Sequence, residues 1–145
     1  MPVRPPHSPT DFAAYYQLRY QVLRQPWQQP PGSERADDDD HPATIHALFT
    51  APDGQVAGVA RLHPAAPGQA QVRYMAVDPT YQGQGVGRQL LDYLEQAARQ
   101  LGLTECVLHA RESAVAFYQR QGYHLVASSH TLFGSIPHFL MRKEL

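Results

Sequence analysis

The chain carries a single cysteine, Cys106. One thiol builds no internal disulfide framework, which argues against the small cross-linked secreted domains. No apolar run approaches the roughly 20 residues needed to span a bilayer, so no membrane partner is expected. The opening residues Met1-Pro2-Val3-Arg4-Pro5-Pro6 contain neither an apolar h-region nor a small-residue cleavage site, and a cytoplasmic location is the expectation. Charge of one sign is lacking too. Twelve basic residues against thirteen acidic ones give a net charge of −1, which supplies no broad positive field for a nucleic-acid polymer. Any anion held here should be small and gripped locally. Metal-ligand spacing is also missing. His41 and His46 beside Asp37-Asp38-Asp39-Asp40 match no zinc pattern, and the aspartate run has no glycine where a calcium loop requires one.

What is present is the composition of an ordinary globular chain, 145 residues with 43% hydrophobic and 17% charged. That length suits one domain spanning 1–145. Thirteen prolines, clustered before residue 80, predict an amino-terminal half rich in loops and strand ends.

Val3-Arg4 reads as a short first strand, and Thr10 or Asp11 as the cap of a helix over 12–23, where Phe12, Tyr15, Tyr16, Leu18, Val22 and Leu23 recur at helical spacing. Residues 25–42 hold Pro26, Pro30, Pro31, Gly32 and the four aspartates. They read as an exposed, mobile loop whose aspartates are solvated or draw a cationic amine toward a cleft. Strands over 43–50, 56–63 and 71–77, separated by Pro/Gly turns, read as an antiparallel meander. From Gly85 to Leu101 an apolar stripe of Val86, Leu90, Leu91, Leu94, Ala97 and Ala98 predicts a long helix stopped by Gly102. A strand over 104–110, a short helix over 113–121, and strands over 123–127 and 138–143 complete the chain.

The chemistry concentrates at Gln82-Gly83-Gln84-Gly85-Val86-Gly87-Arg88, between the strand 71–77 and the long helix. A helix start leaves backbone N–H groups unpaired, and its dipole favours negative charge. A phosphate fits there, and glycines let it approach the main chain. Arg88 can add a charged contact. The dinucleotide fingerprint would want glycine where Arg88 stands, and the Walker A loop would want Lys then Ser or Thr; both readings fail. A plain strand-to-helix turn is the remaining bland alternative.

The segment Val72-Arg73-Tyr74-Met75-Ala76-Val77-Asp78-Pro79-Thr80-Tyr81-Gln82-Gly83-Gln84-Gly85-Val86-Gly87-Arg88-Gln89-Leu90-Leu91 resembles motif A of the GNAT N-acetyltransferases, with Gln82, Gly85 and Gly87 at its signature positions. The resemblance covers nearly the whole chain. It implies an α/β fold, a mixed and mainly antiparallel sheet flanked by helices, in the order strand, helix, helix, three strands, helix, strand, helix, two strands. It implies acetyl-coenzyme A as co-substrate, with the pyrophosphate on Gln82, Gly83, Gln84, Gly85, Val86, Gly87 and Arg88 and the pantetheine arm along Met75, Ala76 and Val77. The Met75 region would also supply the oxyanion donor. The run Ala114-Val115-Ala116-Phe117-Tyr118-Gln119-Arg120-Gln121-Gly122-Tyr123 is similar to the family's second block and puts Tyr118 at the tyrosine position. A phenol beside the thioester sulfur can donate a proton to the departing thiolate; a packing role is the alternative. Where many members carry Asn, this chain has Arg111, so that contact to pantetheine is not carried over. Gly134-Ser135-Ile136-Pro137-His138 further resembles an ElaA-like bacterial branch.

An attacking amine must lose a proton, and the candidate bases are His46, His63, His109, His138 and Glu112. Strand alternation sets His109 opposite Cys106, Leu108 and Ala110, toward the site or toward solvent. Arg19 and Arg24 line the acceptor side or form surface ion pairs. The expected activity is direct acetyl transfer from acetyl-coenzyme A to a primary amine of a small molecule or peptide. Cys106 is expected to be a buried, inert thiol. A non-catalytic acyl-coenzyme A sensor and an acyltransferase with another donor or acceptor are the competitors, and a homodimer is compatible with either.

Overall fold

A computed structural model describes residues 2–145. Ten elements follow one another: β1 (Val3–Arg4), α1 (Pro9–Leu23), β2 (Ile45–Thr50), β3 (Val56–Pro64), β4 (Gln69–Val77), α2 (Val86–Gln100), β5 (Glu105–Arg111), α3 (Val115–Arg120), β6 (His124–Leu132) and β7 (Ile136–Glu144). Seven strands form one sheet in the order β1-β2-β3-β4-β5-β7-β6. Only β4 and β5 run parallel. No helix among the described residues is long and apolar enough to cross a membrane.

The two sheet faces are covered by different helices. Leu90, Leu91, Leu94 and Ala98 of α2 pack on Ala47, Ala60, Leu62, Val72, Cys106 and Leu108. On the opposite face Tyr15, Tyr16 and Leu18 of α1 meet Leu48, Val59 and Ala76. Strand β4 contributes to both. Ala70 and Val72 face α2, whereas Ala76 faces α1, although all three are even-numbered. One extra residue causes this inversion. Val59 lies opposite Ala76 and Arg61 opposite Arg73, so one residue of β3, Ala60, faces two of β4, Tyr74 and Met75. Within this bulge Tyr74 takes a left-handed φ of 56°. A bulge re-aims the side chains that follow it, and here it turns Met75 and Val77 toward the α2 side.

The order of elements implied by the family resemblance included a second helix before β2. None forms: the stretch holds two single 3-10 turns, Gln25–Trp27 and Asp37–Asp40, because its prolines and glycine prevent a longer run. Asp37 and Asp40 are exposed, in line with the reading of this loop as a solvated segment, but Asp38 and Asp39 correct that reading. The Asp39 side chain is 5% exposed and the Arg19 and Arg61 side chains are fully buried. Arg19 Nη1 donates to Asp39 Oδ2 at 2.9 Å, and Arg61 Nη1 donates to Asp39 Oδ1 at 2.9 Å and to Asp38 Oδ1 at 2.7 Å. The Ala36 N–H adds a third donor to Asp39 at 2.8 Å. Burial pushes the Asp39 carboxyl up, yet that N–H and the two guanidiniums outweigh it and hold the carboxyl below its usual range. Two buried arginines thus anchor the loop to α1 and β3.

His46 belongs to the same knot. Its Nε2 lies 2.8 Å from the Asp39 carbonyl and its Nδ1 lies 2.8 Å from the Tyr15 hydroxyl. A carbonyl only accepts, so Nε2 carries the proton and Nδ1 accepts from Tyr15. Burial lowers the His46 pKa, outweighing the bond to the Asp39 carbonyl, which acts to raise it.

Boundaries shift in two other places. Helix α1 begins at Pro9, with Ser8 rather than Thr10 or Asp11 as cap; the Asp11 N–H donates to Ser8 Oγ at 3.0 Å. Proline at the first helical position lacks only an N–H that would be unpaired anyway. The last two strands run to Leu132 and from Ile136, joined through Phe133 and Gly134 at positive φ. Strand β6 is exposed along almost all its length, so its sequence has no apolar alternation to reveal its end.

Candidate active site

Strands β4 and β5 pair only from Gln69 to Gln71 against Glu105 to Val107. Beyond those three pairs β4 stays with β3 as far as Val77, and β5 stays with β7 as far as Arg111. The sheet therefore splits, and a cleft of about 990 Å³ opens at the split. Helix α2 starts at one end of this cleft. Gly85 caps the helix at φ 80° with no side-chain hydrogen bond to its first turn, and Gly83 sits at φ 76°. A Cβ at either would meet nothing within 4 Å. Their requirement is conformational, since L-residues avoid this region. Gly87 differs: a Cβ there would come 3.0 Å from Phe117 Cζ and 3.8 Å from Met75 Sδ, so glycine preserves the gap between α2 and α3.

Met75, Val77, Gln82, Gly83, Gly85, Val86, Gly87, Arg88, His109 and Tyr118, each singled out from sequence, line this one cleft. Ala76 and Gln84 do not. The bulge at Tyr74 turns the Ala76 side chain to the α1 face, and Gln84 is exposed with Nε2 donating to the Thr80 carbonyl at 3.3 Å. Tyr118 is 8% exposed, and its hydroxyl donates to Met75 Sδ at 3.6 Å. Burial raises its pKa to about 12, with the Arg111 charge pulling the other way. The phenol is a neutral donor at physiological pH.

At the other end of the cleft stand Arg24, Trp27, Arg73, Tyr74, Arg111 and three histidines. His109 Nδ1 is 2.6 Å from Ser129 Oγ, which is 2.9 Å from His130 Nδ1, and His130 stacks on His138 at 4.6 Å. Burial, then the charges of His130, His138 and Arg73, lower the pKa of His109. Burial also lowers that of His138. Both imidazoles are therefore mainly neutral near pH 7 and able to take a proton. The remaining candidate bases lie elsewhere: His46 in the Asp39 knot, His63 3.2 Å from Arg61 Nη2, and Glu112 outside the cleft. Arg19 is part of the knot too, whereas Arg24 lines the cleft. Cys106 is fully buried beneath α2, outside the cleft, and burial pushes its thiol up to about 11. Sequence reasoning assigned no role to Trp27 and His130, which lie outside any spaced motif, nor to Arg73 and Tyr74, which lie in the motif A segment but away from its signature positions.

A sequence model of the acetyltransferase (GNAT) family matches residues 12–123. The chain belongs to that family. A Lactobacillus plantarum protein assigned to the N-acetyltransferases is 28% identical, with a TM-score of 0.84 over 99% of this chain and 97% of that one. Two further structures share the fold at lower identity. An aminoglycoside 6'-N-acetyltransferase solved with coenzyme A has a TM-score of 0.83 at 16% identity, covering 99% of this chain and 97% of its own. Escherichia coli ElaA has 0.80 at 22%, covering 98% of both chains. Two Bacillus subtilis proteins match at 33% and 31% identity over 52% and 53% of this chain. The chain spans about half the length of these curated relatives, 51% and 55%.

Proposed function

We propose that the protein transfers an acetyl group directly from acetyl-coenzyme A to a primary amine of a small molecule or peptide. The observation that carries this reading is the uncapped start of α2, with Gly83 and Gly85 at positive φ, opening into the β4/β5 split that holds Tyr118. The shape fits the co-substrate: free N–H groups of Val86, Gly87 and Arg88 suit a pyrophosphate, and the split between Met75 and Phe117 suits a slender pantetheine. When bound, acetyl-coenzyme A supplies an activated acyl carbon with a thiolate as leaving group. The residues do the rest. Gly87 keeps the passage open, and the half-buried Met75 and Val77 exclude water along it.

Tyr118 is the proton donor in this reading. Its hydroxyl has only the weak acceptor Met75 Sδ, so it is available to protonate the thiolate. His109 is the proposed base, a neutral imidazole in the same cleft. Cys106, with a raised thiol pKa outside the cleft, is unsuited to an acyl-enzyme route.

Thiol release from acetyl-coenzyme A over a panel of amines, with longer acyl donors in parallel, tests the reading. Release that depends on both acetyl donor and amine supports it. Tight acetyl-coenzyme A binding with no amine-dependent release would instead make the protein a sensor of acyl-coenzyme A. A preference for longer chains would reassign the donor.

A further inference from the structure

The end of the cleft away from the α2 start holds three arginines and no carboxylate. They are knit together by aromatic rings. Arg73 Cζ stands 4.7 Å from the centre of the Tyr74 ring and Arg24 Cζ 6.0 Å from it. Arg24 also lies 5.5 Å from the Phe133 ring, Phe133 lies 6.4 Å from Trp27, and Arg111 Cζ lies 5.8 Å from Trp27. None of the three forms an ion pair among the described residues. Arg24 is fixed in place, its Nε and Nη1 donating to the Ser33 and Leu23 carbonyls. Behind Tyr74 the buried Arg19 and Arg61 approach the same ring at 4.4 and 5.2 Å, with their charges matched by Asp38 and Asp39.

Uncompensated guanidiniums gathered in a half-buried cleft repel one another, so their neighbourhood favours an anion. Of the aspartates that might have drawn a cationic amine, Asp38 and Asp39 are committed to Arg19 and Arg61, and none of the four lines the cleft. Building on the transferase reading above, we propose that the acceptor is a small amine bearing its own anionic group, a carboxylate or a phosphate, which Arg24, Arg73 and Arg111 hold while the amine points toward Tyr118. Guanidiniums pair bidentately with both groups, and Trp27 and Tyr74 offer apolar surface to the carbon skeleton between amine and anion. The same positive field disfavours the ammonium form of the bound acceptor, so the arrangement also helps produce the free amine that attack requires. Charge balance at the step is simple: the N–C bond forms, the C–S bond breaks, one amine proton goes to a base and the thiolate receives a proton.

The test uses matched acceptor pairs in a thiol-release assay: amino acids against their amides for carboxylate, and phosphoethanolamine against ethanolamine for phosphate. One anionic arm should exceed its neutral partner in kcat/KM by about tenfold or more, mostly through KM, and which arm does so identifies the anion. That ratio should fall toward one in Arg73→Gln, an exposed side chain whose loss spares the core, and in Arg111→Gln. A binding readout runs beside it. Trp27 is the sole tryptophan, so its fluorescence should respond to the product N-acetylglycine, or to N-acetylphosphoethanolamine, at concentrations where N-acetylglycinamide gives no change. Turnover of neutral or polycationic amines equal to or better than that of the anionic ones overturns the acceptor assignment and leaves the transferase reading intact. Thiol release with no amine at all overturns the transferase reading, and the acceptor assignment with it.

Discussion

At one end of the cleft the groups on offer are backbone: the N–H donors that open α2, presented by Gly83 and Gly85 at positive φ. At the other end they are side chains, the guanidiniums of Arg24, Arg73 and Arg111 and the imidazoles of His109, His130 and His138. The two ends differ in what supports them. The α2 end rests on a leucine-rich helix stripe and the sheet beneath it. The arginine end is walled by the segment after α1, which is tied down by the ion pairs of Asp39. A site built from backbone tolerates change in side chains but not in φ, whereas a site built from side chains on a pinned loop is readily varied. On the proposed reading, a shared donor end and an individual acceptor end follow from that division.

The largest way to break the comparison is at the pin. Asp39→Ala leaves two buried guanidiniums without their shared carboxylate and should cost about 3 to 5 kcal/mol in urea-induced unfolding, with the 25–44 segment becoming the first to lose protection in hydrogen exchange. Acidification should act in the same direction. The Asp39 pKa is depressed in the fold, so its contribution is present above the unfolded carboxylate range and is lost as pH falls through the lower folded value. If Asp39→Ala and wild type unfold at the same urea midpoint, the pin is not what holds the arginine end.

Next in size is Tyr118→Phe, which keeps the ring packed and removes only the hydroxyl. Its kcat should drop roughly 10² to 10⁴ fold with acetyl-coenzyme A affinity retained; an unchanged kcat would return Tyr118 to a packing role. Gly85→Val should weaken acetyl-coenzyme A binding by about tenfold or more in calorimetry, because a β-branched residue resists a φ of 80°. The Trp27 response to acceptor-side ligands should persist in that variant, which would show the two ends to be separable.

Smaller effects sharpen the picture of the proton path. With His109 as base, activity should fall on the acid side as the imidazole protonates, at a pH below the ordinary histidine value because burial and neighbouring charges lower its pKa. With Tyr118 held at about 12, no alkaline loss from that group should appear up to about pH 10. In His109→Gln the acid limb should vanish or move, and an identical pH profile would transfer the role elsewhere. Smallest of all, Cys106→Ala should leave kcat within about twofold and cost only about 1 to 2 kcal/mol of stability, the expense of a small cavity under α2. Abolished turnover with fold and cofactor affinity intact would reinstate an acyl-enzyme.

How much of this was legible in the sequence divides along the same line. The α2 stripe and the glycines before it are local patterns with fixed spacing, so helix and turn could be read directly. Tyr118 was reachable because its block sits at a helix end closed by Gly122. Of the arginine end only Arg24 was legible on the acceptor side, since Arg24, Arg73 and Arg111 come from α1's end, β4 and β5 and meet only when the sheet splits. The aspartate run misled for a related reason. Four acidic residues in a proline-rich stretch resemble a solvated loop, and nothing local announces that Arg19 and Arg61 will be buried beneath them. Strand β4 was found with nearly correct bounds, but period-two alternation is blind to the extra residue that sends Ala76 to the other face.

That extra residue makes β4 two short strands spliced out of phase. Removing Tyr74 would close the bulge in register, pairing Ala60 with Met75, and would leave Met75 looking toward the α2 side and Ala76 against Tyr15 and Val59; what would be lost is the Tyr74 ring that lines the cleft. The first half of the strand answers to the α2 core and the second half to both the cleft and α1. Point substitutions in 69–72 should therefore register as changes in folding, those at 75 and 77 as changes in ligand handling, and deletion of Tyr74 as a change at the cleft wall with both cores still facing as before.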